Sequence, residues 1–112
     1  APALARTAAA LQEDNDALDA LAAGHLAALR SDDGLAVTGL EDLPAALRRR
    51  VIRGWLLDVG ATALTDVQLR AVDALVGDWH GQGGTAVPSP LRYQRLVVTR
   101  RAGMLTVAAR PV

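Results

Sequence analysis

The sequence predicts an α+β fold, mainly α: a long N-terminal helix, a helical hairpin, then a small antiparallel sheet. Three observations carry this. Ala and Leu dominate residues 3–30, where no Pro occurs and Gly24 is the single glycine. Residues 43–59 and 65–79 repeat apolar side chains at helical spacing. Beyond Gly81-Gln82-Gly83-Gly84 the texture turns to Val, Leu, Thr and Tyr, which suit a pleated, half-buried surface. At 112 residues the chain is long enough for one modest core.

Each element has its own signal. At about 100° per residue, Leu4, Leu11, Leu18, Ala22 and Leu29 fall on one line of the first helix, with Glu13, Asp16, Asp19, Arg6 and Arg30 on the other side. Ser31-Asp32-Asp33-Gly34 ends it with turn residues, and 35–37 reads as a short strand. Pro44 suits the first turn of the second helix, where a missing N–H costs nothing, and Gly60 stops it. Leu47, Val51, Ile52, Trp55, Leu56 and Val59 spread over half its circumference, and Arg49, Arg50 and Arg53 sit opposite. Thr65-Asp66-Val67-Gln68 is a capping box opening the third helix, whose Leu69, Val72, Val76 and Trp79 share a face. Strands are expected at 85–87, 91–99 and 104–109, with the hairpin turn at Arg100–Gly103. Pro88 and Pro90 limit the first of them to a sheet edge.

Composition excludes several chemistries. Cys is absent, which removes disulfides, thiolate metal sites and a Cys nucleophile. All 12 basic residues are Arg, so there is no phosphate-loop Lys and no Schiff-base Lys. No apolar run approaches the ~20 residues that a membrane span needs. No basic segment leads into an apolar stretch at the start, so a secretory signal is not expected and a cytoplasmic location is. The chain opens in helical pattern without Met, which implies a piece of a longer protein.

No catalytic constellation stands out. Asp14, Asp16 and Asp19 lack the Gly and oxygen ligands of a calcium loop and read as a solvated face. His25 and His80 have no metal-ligand spacing; His80 reads as a cap on the third helix. Gly81–Gly84 follows a helix and precedes a strand, the reverse of a phosphate loop, and reads as a hinge. We therefore assign no catalytic and no metal-binding residue.

The formal net charge of zero conceals a division. Residues 1–42 hold two Arg and eight acidic residues, a net of −6, and residues 43–112 hold ten Arg and four Asp, a net of +6. Such asymmetry points to a polyanion partner for the second part. Arg48, Arg49, Arg50 and Arg53 form a basic run, and Arg92, Arg95, Arg100, Arg101 and Arg110 stud the predicted sheet, with Tyr93 between two of them. Arg is the residue of bidentate phosphate contact. The bland alternative is a set of solvated faces with weak surface ion pairs.

Four blocks, in order, resemble the bacterial tRNA(Ile)-lysidine synthetase family. Residues 13–22, EDNDALDALA, are similar to its linker helix run EDADxLDxLA. Residues 43–59, LPAALRRRVIRGWLLDV, resemble its LP.ALRRRVLR.WL helix, and residues 64–84, LTDVQLRAVDALVGDWHGQGG, its following helix and glycine break. Residues 86–107 resemble its LPGGLRVxRxxGxLxL hairpin, with Val87-Pro88-Ser89-Pro90-Leu91-Arg92 in place of the usual LPGG.

The resemblance implies a parent enzyme that ligates lysine to C2 of the wobble cytidine of tRNA(Ile), using ATP, with magnesium, to adenylate the base first. It places that catalysis, and its SGGxDS motif, in an upstream domain; the motif is absent here. This chain would be the non-catalytic region that binds and positions tRNA. Residues 1–34 would form the connector helix and residues 35–112 the tRNA-binding unit. The expected RNA contacts are Arg49, Arg50 and Arg53 with Arg92 and Arg95, joined by Arg100 and Arg101, and the acidic first helix should face away from RNA or toward the catalytic domain. The expected partners are tRNA, the upstream catalytic domain and a homodimer copy, with no membrane. Two rivals stand beside this reading. One is a winged-helix DNA-binding module whose recognition helix would be the third. The other is an interaction or dimerisation domain using the apolar stripe of the first helix.

Overall fold

The computed structural model describes residues 2–112. Helix α1 (Pro2–Leu29) leads into a short hairpin, β1 (Arg30–Ser31) and β2 (Gly34–Ala36), turned by Asp32 and Asp33. A five-residue helix α2 (Val37–Glu41) follows, then α3 (Ala45–Asp58) and α4 (Asp66–Gly77). Strands β3 (Thr85–Pro88), β4 (Gln94–Arg101) and β5 (Met104–Pro111) complete one antiparallel sheet in the order β1-β2-β5-β4-β3. The architecture is the α+β plan that the sequence predicts, with α dominant.

Two predicted features hold at atomic detail. The Thr65 hydroxyl accepts from the Gln68 backbone N–H at 3.2 Å while the Gln68 side chain accepts from the Thr65 N–H at 3.0 Å, so two free helix-end donors are satisfied reciprocally. Strand β3 lies at the sheet edge with Pro88 in its last position, where a missing N–H costs no ladder bond.

Three local readings need correction. The sheet is not confined to the C-terminal end: β2 pairs with β5, Leu35 opposite Leu105, so a segment before the helical hairpin extends the sheet made after it. Helix α2 has no sequence signal, because Val-Thr-Gly is poor helix material; burial of Val37 and Leu40 drives it instead. Arg100 and Arg101 belong to β4, and the turn is the two residues Ala102 and Gly103, both at positive φ (52° and 74°). That is the primed turn whose twist matches the strands, normally built from Asn, Asp or Gly.

Helices α3 and α4 cover one face of the sheet. Val51, Ile52, Trp55 and Leu56 from α3 meet Val72, Leu75 and Val76 from α4 over Leu35, Val87, Leu96, Val98 and Leu105. Burying each large aliphatic side chain here contributes about 1.5–3 kcal/mol. Helix α1 packs on α3 through Ala22 and Leu26, on the side of α3 that carries Arg50 and Gly54, and its Leu29 lies against Gly39 of α2. Its first half projects beyond the body, leaving Leu4 and Leu11 exposed. No helix among the described residues is long and apolar enough to cross a membrane.

Candidate nucleic-acid interface

The seven arginines expected to meet RNA do not share one surface. On α3, Arg49 and Arg50 are turned toward the rest of the chain, as is the neighbouring Arg48, while Arg53 is exposed. Arg48 grips Asp73 of α4 through Nε and Nη2, the latter at 2.9 Å, and Arg49 Nε donates to the same carboxylate at 3.1 Å. Burial pushes the Asp73 carboxyl up, but the hydrogen bonds and charges of Arg48 and Arg49 outweigh it and hold the group below the ordinary carboxylate range. The same hydrogen bond raises the Arg48 guanidinium against the opposing effect of burial. Arg50 donates to Asp19 of α1 at 2.7 Å and to Asn15 at 2.9 Å. The acidic helix is therefore not remote from the basic one. It forms the other wall of a groove of about 640 Å³, with Gln12, Asn15 and Asp19 facing Arg49, Arg50 and Arg53. Arg53 is exposed and makes no ion pair among the described residues.

Arg100 is also committed internally. Its guanidinium lies 5.0 Å from the centre of the Trp79 ring and donates to the Leu75 carbonyl at 3.0 Å, tying β4 to the end of α4. Trp79 thus stands past the helix, as a lid on Arg100, and not on the helical face the sequence predicts. Gln82, not a cation, caps α4: its amide donates to the Ala74 and Asp78 carbonyls. His80 contacts the Asp78 carbonyl through Nδ1 at 3.0 Å.

The other sheet arginines meet different surroundings. Strand residues alternate between faces, and the core takes Leu96, Val98, Leu105 and, on the same side, Arg100. The opposite face carries Arg95, Val97, Thr99 and Arg101 of β4 and Met104, Thr106, Ala108 and Arg110 of β5. No helix covers it. Arg95 and Arg110 are direct cross-strand partners, and neither has an acidic neighbour within ion-pair distance. Like charges directly opposite one another destabilise a sheet, so this pair works against the fold that holds it.

A hollow of about 380 Å³ lies on this face, between the 82–84 segment and Thr99, Arg101, Thr106, Ala108 and Arg110. A side chain at Gly84 would collide with Val97 Cγ1 and Thr99 Cγ2, so glycine lets the segment lie close along the sheet. Thr99 and Thr106 share a hydrogen bond between their hydroxyls at 3.1 Å. Asp32 and Asp33 line a second hollow, with Trp55, Leu96, Val107 and, from the uncovered face, Thr106. The strand residues of that face are basic or uncharged, and the acidic β1–β2 turn stands beside Thr106 at its margin. Arg92 and Tyr93 lie in the turn that enters β4, both exposed. Arg110 was visible as a sheet arginine in the sequence, but its opposition to Arg95 needs the register.

Comparison with known proteins gives a consistent family. The profile of the TilS substrate binding domain matches residues 35–105. The tRNA(Ile)-lysidine synthase of Mycobacterium leprae (strain TN) is 56% identical over 110 residues, which cover 98% of this chain and 34% of that protein. That of Mycobacterium tuberculosis (strain ATCC 25618 / H37Rv) is 57% identical over 116 residues, covering 100% and 36%. That of Nocardia farcinica (strain IFM 10152) is 53% identical over 107 residues, covering 96% and 34%. The chain spans about a third of the length of the curated relatives it matches. No solved structure gives a significant match.

Proposed function

The chain belongs to the TilS substrate binding domain family, and from that premise we propose that it binds tRNA by its backbone and positions it for a catalytic part elsewhere in the parent protein. That part would ligate lysine to the wobble cytidine of tRNA(Ile) at the expense of ATP, with magnesium, in the cytoplasm. The observation that carries the reading is the uncovered sheet face, where Arg95, Arg101 and Arg110 stand unpaired. Unpaired arginines on a rigid strand pair give sequence-tolerant phosphate contacts, which fix register and orientation. Arg92 extends the same basic edge. Arg53, at the mouth of the α1–α3 groove, offers a separate contact on the other side of the helix layer.

The test is a charge swap of Arg95 and Arg110 to Glu in the whole parent enzyme. The expected result is a fall of at least about tenfold in tRNA affinity and a salt dependence shallower by about two counterions. Unchanged affinity and slope would refute the assignment.

The exposed stripe of Leu4 and Leu11 on α1 favours a second contact, with the upstream part of the parent chain. A second copy of this chain is the competing occupant. Sedimentation of the whole enzyme separates them: a monomer supports the intramolecular contact, and a dimer lost on changing Leu4 and Leu11 to Ser supports the other.

A further inference from the structure

Resting on the tRNA reading above, we infer that the uncovered sheet face takes a base-paired stretch of RNA, minor-groove side down, and not an unpaired loop. The first argument is the placement of charge. Arg95 and Arg110 stand opposite one another at one end of the β4–β5 ladder, and Arg101 stands at the other. Six residue steps of strand lead from Arg95 to Arg101, roughly 20 Å at ~3.3 Å per step. Between these margins lie only Val97, Ala108, Thr99 and Thr106. A helical stem shows phosphates along both margins of a wide, shallow minor groove with sugar hydroxyls between them. The face repeats that order: guanidinium, hydroxyl, guanidinium.

The second argument is the missing stacking surface. Readers of unpaired RNA splay the bases out and stack them on several aromatic rings. This chain has two Trp, one Tyr and no Phe. Trp55 is buried, and Trp79 is partly exposed but has one ring face against the Arg100 guanidinium at the end of α4, off the ladder. Tyr93 is the most exposed ring, in the turn before β4 and also off the ladder. The uncovered face of β4 and β5 carries none.

The third argument is the hydroxyl pair. Thr99 and Thr106 are half-buried at the centre of the face and bond only to each other. A hydroxyl both donates and accepts, so each keeps capacity for a sugar 2′-OH. The 2′-OH is the group that separates RNA from DNA. These two side chains therefore select RNA without reading its sequence.

The experiment is competition against labelled tRNA(Ile) bound to the whole enzyme. The competitors are a blunt RNA duplex, the same sequence as duplex DNA, and one RNA strand alone. The RNA duplex should compete about ten times better than either of the others. Thr99→Val with Thr106→Val should erase the advantage over DNA while leaving the melting temperature unchanged, and Thr99→Ser with Thr106→Ser should restore it. Equal or better competition by the single strand overturns the duplex assignment, and so does a Val variant that keeps full discrimination. If the Arg95→Glu, Arg110→Glu enzyme holds tRNA at wild-type affinity, the tRNA reading of this face fails as well, so the two failures are distinct.

Discussion

The arginines of α3 and those of β4 and β5 are the same residue set to opposite uses. On α3, Arg48 and Arg49 close on one buried carboxylate and Arg50 closes on α1. Every one of these guanidiniums holds two helices together. On the outer sheet face, Arg95 and Arg110 repel one another and hold nothing in this chain. The α3 set ties helices to one another, and the opposed like charges of the sheet set work against the ladder that carries them. A residue that costs stability where a neutral one would cost none points to a use outside the fold. The density of arginines along the sequence points the other way, since Arg48-Arg49-Arg50 is the densest run and is the one most fully occupied at home.

The largest break in this contrast is Arg48→Ala. Asp73 is almost wholly buried, and removal of its bidentate partner leaves the carboxylate with Arg49 Nε alone. The expected cost is about 3 kcal/mol, read as a lowered urea midpoint with an unchanged slope. The folded fraction should keep its affinity for tRNA. A variant of normal stability and lost binding would reverse the assignment of roles.

Acid titration tests the same triad without mutation. The Asp73 pKa is held below its ordinary value, so its ion pairs contribute stability that is complete above about pH 4 and is lost as pH falls through the lower, folded-state pKa. Stability between pH 7 and pH 5 should not change on account of this group. Below that, the wild type should lose more stability than Asp73→Asn, which has no proton to take up. Parallel acid curves for the two proteins would show that the triad contributes little.

Helix boundaries, the capping box, the edge position of β3 and the three C-terminal strands were legible because each rests on local chemistry: periodicity, a Thr-x-x-Gln spacing, prolines, β-branched runs. The candidate interface was half legible. Residue type named the arginines, but type says nothing of partners. Asp73 reads as one more solvated acid until α4 turns it toward α3. Asp19 reads as part of an acidic face until α1 crosses the arginines. The decisive residue is Ala102. With a turn spanning Arg100–Gly103, Arg95 would face Ala108. With the turn at Ala102 and Gly103, Arg95 faces Arg110 and Thr99 faces Thr106. An Ala at positive φ gives no sequence signal for that turn, so the register, and the opposition it creates, had to come from the structure.

Arg110→Thr sharpens the contrast at smaller scale. It removes one of two opposed like charges and adds a β-branched side chain to a strand. We expect a gain of about 0.5 kcal/mol in urea unfolding, shrinking as salt screens the repulsion. In the parent enzyme the same change should weaken tRNA several-fold. A gain in stability paired with a loss in binding is the signature of a residue kept for its ligand. A loss of stability instead would mean that Arg110 has a structural partner, and the sheet set would join the α3 set.

The smallest expected effect is that of Asp19→Asn, and it examines the boundary between the two regions. The Arg50–Asp19 pair is well exposed on the carboxylate side, at 68% of the Asp19 side chain. Such pairs contribute about 0.3 kcal/mol, and salt removes most of it. Asparagine keeps an oxygen for Arg50, so α1 should stay seated on α3 through Ala22 and Leu26. What changes is charge: the groove that holds Arg49, Arg50 and Arg53 loses its facing carboxylate. If those arginines serve the fold, tRNA affinity should move by less than about twofold, since one more half-screened positive charge adds little to long-range attraction. A rise of tenfold would show that Asp19 shields a working phosphate site. The α3 groove would then be the main RNA surface, and the repulsion between Arg95 and Arg110 would need another explanation.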